Sequence, residues 1–187
     1  MKPTLTIIAG PNGSGKSTLA DLLLKEESLV RFVNADILAK GLTGITKVAG
    51  EIEAGKIMLR QINESINNLE SIAFETTLSG LIWKKTIKKA NDKGYPVNII
   101  FVTVNSAQLA FERIQKRVSE GGHFVPKEVV FRRYERSKKM FKHYRNMVDK
   151  WYVFDNSNST SELVARKENG GPVILNQNKF SILFGDS

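Results

Sequence analysis

Residues 10–17, Gly-Pro-Asn-Gly-Ser-Gly-Lys-Ser, complete the pattern G-x-x-x-x-G-K-[ST]. Each residue type answers a requirement of holding a polyphosphate. Gly10, Gly13 and Gly15, with Pro11, Asn12 and Ser14 between them, let the main chain wrap an anion closely, and the freed N–H groups point at phosphate oxygens. Lys16 can reach the β- and γ-phosphates, and the Ser17 hydroxyl can ligate Mg²⁺, with Thr18 next in the chain. Just before this loop, Leu5-Thr6-Ile7-Ile8-Ala9 reads as a buried strand. Just after it, Leu19, Leu22 and Leu23 fall at helical spacing, so the loop opens a helix whose N-terminus favours anions. The combination predicts binding of a nucleoside triphosphate.

Phosphoryl transfer needs charge neutralisation, a metal ion, and a carboxylate that orients or deprotonates the attacking hydroxyl. Two acids stand where strands are expected to end. Asp36 follows Phe32-Val33-Asn34-Ala35 and opens a helical stretch with Ile37 and Leu38, so it is either a base at the acceptor or an N-cap. Glu75 ends the apolar run Ile72-Ala73-Phe74, where an acid is costly unless paired or near a metal. It can hold a Mg²⁺-bound water or grip the acceptor. Thr76 and Thr77 either donate hydrogen bonds to the acceptor or cap a helix starting near residue 80.

A third set of candidates lies on the stretch from Arg113 to Arg136. Arg113 and Arg117 are spaced i, i+4 and share a helix face, and Arg132 and Arg136 repeat that spacing with Arg133 beside them. Gly121 and Gly122 end the first helix and Pro126 starts the second. Two arginine-bearing helices hinged by glycines read as a lid that brings Arg113, Arg117 and Arg133 onto the transferring phosphate. His123 in the hinge is a substrate contact or a loop hydrogen-bonder. Tyr134, Phe141, Tyr144 and Val148 read as core.

These residues need a scaffold, and apolar β-branched segments alternate with amphipathic ones to provide it. Strands are expected at 4–9, 31–35, 71–75, 97–104 and 151–155, and helices at 15–26, 45–69, 80–93, 107–119 and 127–149. Such alternation predicts an α/β fold: a P-loop NTPase three-layer sandwich with a five-stranded, mainly parallel sheet and a helical lid over about 113–136. Asn169-Gly170-Gly171 between two short β-like runs adds a small C-terminal β-hairpin over about 161–176, within one P-loop kinase domain spanning 1–187. Open α/β sheets bind ligands at the carboxyl ends of their strands, which is where Asn34, Asp36, Glu75, Asn105, Asp155 and Asn156 fall.

Composition narrows the function classes. With no cysteine, the chain of 187 residues has no disulfide framework and no catalytic thiol. No segment is apolar over the length a bilayer requires, so the cytoplasm is the expected location. The net charge is +9, and residues 113–150 hold twelve Lys or Arg against four acids. A cluster of that kind is the footprint of an anionic ligand, either a nucleotide with its acceptor or a nucleic acid, while outer lysines such as Lys138, Lys139 and Lys142 also suit a solvated helix face.

The pieces together resemble the zeta toxin family of P-loop kinases, especially its short members. The matching segments are Gly10 to Thr18, Asn34-Ala-Asp36, Phe74-Glu-Thr-Thr77, Arg117 to Pro126, and Arg132-Arg-Tyr-Glu-Arg-Ser137. The resemblance implies a phosphotransferase using ATP or GTP with Mg²⁺, and a UDP-amino sugar such as UDP-N-acetylglucosamine as the acceptor. On that pattern Lys16 contacts the phosphates, Asp36 is the base, Glu75 and Thr77 lie at the acceptor, and the lid arginines stabilise the transition state. An antitoxin protein is the partner it suggests. The chain departs in carrying Thr76 where zeta toxins tend to have glycine. Two other functions fit the motifs: a polynucleotide kinase or nucleic-acid-binding ATPase, and an ATP-binding regulator with weak hydrolysis.

Overall fold

Leu5–Ala9 form strand β1, and all five residues are buried. A strand buried on both faces belongs inside a sheet covered by helices on each side. In the computed structural model, which describes residues 2–25, 31–44, 46–122 and 124–185, β1 is the third strand of a seven-stranded sheet. The chain continues through α1 (Lys16–Lys25), β2 (Phe32–Val33), α2 (Ala35–Gly41), α3 (Lys47–Asn67), β3 (Ile72–Thr76), α4 (Lys84–Asp92) and β4 (Val97–Thr103). It then forms α5 (Ala107–Ser119), α6 (Lys127–Tyr144), β5 (Lys150–Asp155), β6 (Glu162–Glu168), β7 (Gly171–Ile174) and α7 (Gln177–Phe184).

The spatial order is β2-β3-β1-β4-β5-β6-β7, and the first five strands in that row run parallel. The register sets Ile8 against Glu75 and Ala9 against Thr76, so the end of β1 and the end of β3 reach the same level. The expected α/β P-loop architecture is the one observed, with a larger sheet. The C-terminal hairpin does not stand apart: β6 pairs antiparallel with β5 and raises the strand count from five to seven. Its turn is Asn169-Gly170, followed by Gly171 at φ +101°, a left-handed conformation that favours glycine.

The helices bury stripes. In α6 the buried residues Val130, Tyr134, Ser137, Phe141 and Tyr144 recur four and three apart, one face of a 3.6-residue helix. Phe141 stacks on Phe101 of β4 at 4.6 Å, meets Trp151 of β5 edge-on at 5.6 Å and touches Phe184 of α7 at 5.4 Å. A second, smaller cluster joins α5 to α6 through Val104, Ala110, Ile114, Val125, Val130 and Tyr134. The arginine-bearing helices therefore share a core of their own. α6 stops at Tyr144, short of the expected 149, and α4 begins at Lys84 rather than near 80. No helix among the described residues is long and apolar enough to cross a membrane.

Phe141 is fully buried where three elements meet. Phe141→Ala is expected to lower the unfolding free energy by about 3–5 kcal/mol, the range for truncating a buried aromatic. Urea titration followed by circular dichroism checks it.

Candidate active site

The phosphate loop joins β1 to α1 and is tied down at both ends. Gly10 N donates to Thr76 O at 3.2 Å, and the first helical bond of α1 runs from Leu19 N to Gly15 O at 3.2 Å. The N–H groups of Lys16, Ser17 and Thr18 in the first turn thus have no intrahelical acceptor. Three glycines of the loop, Gly10, Gly13 and Gly15, have positive φ and no room for a Cβ, which on Gly10 would run into the Val102 carbonyl of β4. A Cβ on Gly13, whose φ is +77°, would lie 2.2 Å from the Ala110 carbonyl oxygen of α5. One on Gly15, with φ +94°, would lie 2.2 Å from Asn156 Nδ2.

Glu75 gathers the residues around this loop. Its Oε2 accepts from Ser17 Oγ at 2.9 Å and from Asn34 Nδ2 at 2.8 Å, and its Oε1 stands 3.7 Å from Lys16 Nζ. Lys16 Nζ also donates to the Pro11 carbonyl at 2.8 Å, closing the lysine back over its own loop. The other end of the Asn34 amide is engaged as well. Its Oδ1 accepts from Asp36 N at 2.8 Å and Ile37 N at 3.3 Å, which makes Asn34 the N-cap of α2. The capping role left open for Asp36 therefore falls to Asn34, and Asp36 sits exposed in the first turn. Neither threonine caps α4, whose N-cap is Trp83 without a side-chain bond. Thr76 Oγ1 accepts from Leu78 N at 3.1 Å and Trp83 Nε1 at 2.9 Å, while Thr77 Oγ1 lies 3.0 Å from Ser79 Oγ.

Two cavities open on these residues. One, of about 330 Å³, is bordered by Gly13, Gly15, Ser17 and Thr18 together with Arg113, Arg117 and Asn156. The other, of about 220 Å³, is bordered by Asn34, Met58, Thr76, Thr77, Trp83 and Arg133. Asn12, Lys16, Asp36 and Glu75 border both. Arg133 reaches the phosphate loop, with Nη1 donating to Asn12 Oδ1 at 3.3 Å. Arg113 directs its guanidinium elsewhere: Nη1 donates to the Asn156 carbonyl at 2.7 Å and Nη2 to the Ser157 carbonyl at 3.1 Å. Arg132 and Arg136 lie on α6 and border neither cavity. His123 lies outside the described residues. No cluster of three or more His, Cys, Asp or Glu side chains that could hold a metal ion occurs among the described residues.

Sequence reasoning set Asn34 and Asn156 at strand ends without giving either a role, and it did not find Met58 or Trp83. The strand-end rule was the available signal for the asparagines. Met58 and Trp83 carry none, because apolar residues at helical spacing read as core.

Between Leu5 and Tyr144 the chain matches the family model described as AAA domain. It belongs to that family. An uncharacterized protein of Haemophilus influenzae is 29% identical over 125 residues, which is 67% of this chain and 88% of that protein. Among solved structures, AvrRxo1-ORF1:-ORF2 with ATP superposes with a TM-score of 0.78 at 18% identity over 98% of this chain. This chain spans 64% of the length of that one. A structure from the PezAT chromosomal toxin–antitoxin system of Streptococcus pneumoniae superposes with a TM-score of 0.66 at 15% identity, covering 86% of this chain and 72% of that one. At these identities the likeness is one of fold, and the α/β P-loop fold of these structures is the fold this chain has.

Lys16 is 6% exposed. Burial pushes its ammonium below the ordinary 10.5, Arg117 adds to that, and the carboxylates of Glu75 and Asp36 oppose it. For a lysine whose folded pKa is lowered, the cost of the buried charge is present at neutral pH and vanishes as pH rises past 10.5. Lys16→Met keeps the apolar stem and removes the charge. It is expected to make the nucleotide-free protein more stable than wild type near neutral pH, with the gain shrinking toward pH 10.5. Denaturant titrations across that range check it, and a less stable variant at neutral pH would mean that the Glu75 pair outweighs burial.

Proposed function

We propose that this chain is a kinase that moves the γ-phosphoryl group of ATP, or GTP, to a hydroxyl of a small acceptor. The observation that carries this reading is the pair of adjoining cavities with Lys16, Asp36 and Glu75 common to both. A nucleotide in the first and an acceptor in the second meet beside one cation and two carboxylates. Loop residues 10–18 cradle the phosphates, with Lys16 as the neutralising cation. Ser17 and Glu75, already joined by a 2.9 Å hydrogen bond, fit a nucleotide-borne Mg²⁺, which takes one or two protein oxygens and fills its shell with phosphate and water. Bound there, the ion neutralises charge on the phosphates.

Asp36 orients or deprotonates the acceptor hydroxyl. Arg117 of α5 and Arg133 of α6 supply positive charge from two sides to the oxygens of the transferring group, and Arg113 borders the nucleotide side. Thr77 and the remaining proton of Thr76 hold the acceptor, together with His123. The zeta toxin resemblance favours a UDP-amino sugar, UDP-N-acetylglucosamine first, as the acceptor. It also favours an antitoxin protein as partner and the cytoplasm as location. A polynucleotide 5′-hydroxyl is the second reading, favoured by the basic residues Arg132, Arg136 and Lys139 that α6 carries besides Arg133.

Transfer of labelled γ-phosphate to a panel of UDP-sugars, nucleosides, simple sugars and RNA 5′ ends tests the reading. Product on a small hydroxyl compound is expected. Product on RNA ends alone moves the assignment to the second reading, and ATP binding with no labelled product leaves a regulator. With the acceptor found, Asp36→Asn is expected to hold ATP affinity within a few-fold and to lower turnover by roughly 10²–10⁴, the usual contribution of an acid–base group. Because Asn34 supplies the cap, the melting temperature of that variant should stay close to wild type. Near-normal turnover would remove Asp36 from the chemistry.

A further inference from the structure

The Ser14 carbonyl, in the middle of the phosphate loop, accepts a hydrogen bond from Asn156 Nδ2 at 2.8 Å. A peptide unit is planar and trans, so its C=O and N–H point in opposite directions. The bond that holds Ser14 O therefore also sets the direction of the Gly15 N–H, at a residue that borders the nucleotide-side cavity. Asn156 reaches across 142 positions of sequence to do this and must itself be fixed.

Its own N–H donates to Thr103 O at 2.8 Å, and Arg113 grips its carbonyl and the next one along the chain. Asp155, one residue earlier, is 5% exposed, and a carboxylate so buried is costly unless paired. Its Oδ1 accepts from Ser157 N at 3.0 Å and from the Ser157 hydroxyl, and its Oδ2 meets Lys179 Nζ of α7 at 3.1 Å. Lys179 also holds Glu162 of β6 at 2.8 Å, and Ser157 Oγ accepts from Asn105 N at 2.8 Å. A continuous line of polar contacts thus runs from α7 through the end of β5 to the phosphate loop. All of its C-terminal members lie beyond Tyr144, where the match to the family domain ends.

The geometry points to Asn156 as a positioning residue for the phosphate loop, clamped by Arg113 and braced through Asp155 by Lys179, so that the segment after the family domain sets nucleotide affinity. This assigns Arg113 to the clamp rather than to the transferring phosphate. The consequence for affinity rests on the nucleotide-binding reading above; the effect on loop order does not.

The experiment combines ATP titration by calorimetry with amide hydrogen exchange of residues 12–17 in the ligand-free protein. The variants are Asn156→Asp, which keeps the shape and loses the donor, Lys179→Met and Lys179→Arg. Ile62→Ala, fully buried in α3 and remote from these contacts, serves as the control for general destabilisation. Asn156→Asp is expected to speed exchange across the loop and to weaken ATP binding by about tenfold, the order expected for losing one hydrogen bond and leaving its acceptor unpaired. Lys179→Met shifts both readouts the same way to a smaller extent, and Lys179→Arg restores them. Ile62→Ala lowers the melting temperature and moves neither. Unchanged loop exchange in Asn156→Asp and Lys179→Met overturns the proposal, as does an equal change in Ile62→Ala. A wild-type protein that binds no ATP overturns the kinase reading instead, while loop exchange still decides the positioning role.

Discussion

A nearly buried carboxylate needs partners, and Glu75 collects the ones that make a phosphate site. Its side chain is 11% exposed, and it satisfies its oxygens with the loop serine, the cap asparagine of α2 and the loop lysine. These partners come from α1 and from the start of α2, so the carboxylate fixes both helices relative to β3. The sheet makes this possible. β3 is parallel to β1 with Ile8 opposite Glu75, and the register delivers the acid to the level at which the phosphate loop begins. A one-residue slip would turn Glu75 to the other face of the sheet. The site follows from strand pairing as much as from the loop motif.

The parts of the fold with strong local periodicity were legible in the sequence. β1, β3, β4 and β5 emerge within a residue or two of their expected bounds because each is an apolar run of β-branched or aromatic residues with polar residues following. α7 was missed although its marks are present. Asn176 caps it by accepting from Lys179 N, Phe180 and Phe184 lie one turn apart, and Gly185 follows. Eight residues of mixed polarity gave too short a window for the period to stand out. The strand count was underestimated because a hairpin's own turn is local, whereas its pairing with β5 depends on contacts that no single segment encodes.

The candidate site divides along the same line. The loop and the strand-end acids could be named because their chemistry lies in residue type and spacing. What Asn34, Asn156 and Arg113 do could not, because each acts on a main-chain group or side chain far away in sequence. The basic stretch 113–150 illustrates the difference most plainly. Read as charge, it is one patch. In the structure Lys142 donates to the Phe184 carbonyl, Lys138 lies over the Tyr134 ring at 4.9 Å, and Lys127 sits over Phe111 and Phe131. Part of the positive charge is thus committed to packing α5, α6 and α7, and of the stretch's cations Arg113, Arg117 and Arg133 border the two cavities.

The departure at Thr76 has a structural consequence for whatever occupies the second cavity. A glycine there has no side-chain acceptor, whereas the Thr76 hydroxyl receives the indole N–H of Trp83 at 2.9 Å. That bond holds the indole against Phe74, with ring centres 4.4 Å apart, and Trp83 in turn borders the cavity along with Met58. One part of the cavity wall is therefore aromatic and pinned, since moving it breaks a hydrogen bond in a largely buried setting. A cavity bordered by a pinned apolar group, two carboxylates and Arg133 discriminates by shape at one place and by hydrogen bonding at another. On the kinase reading proposed above, selectivity for an acceptor would rest on β3 and the segment leading to α4, next to the residues proposed for the chemistry.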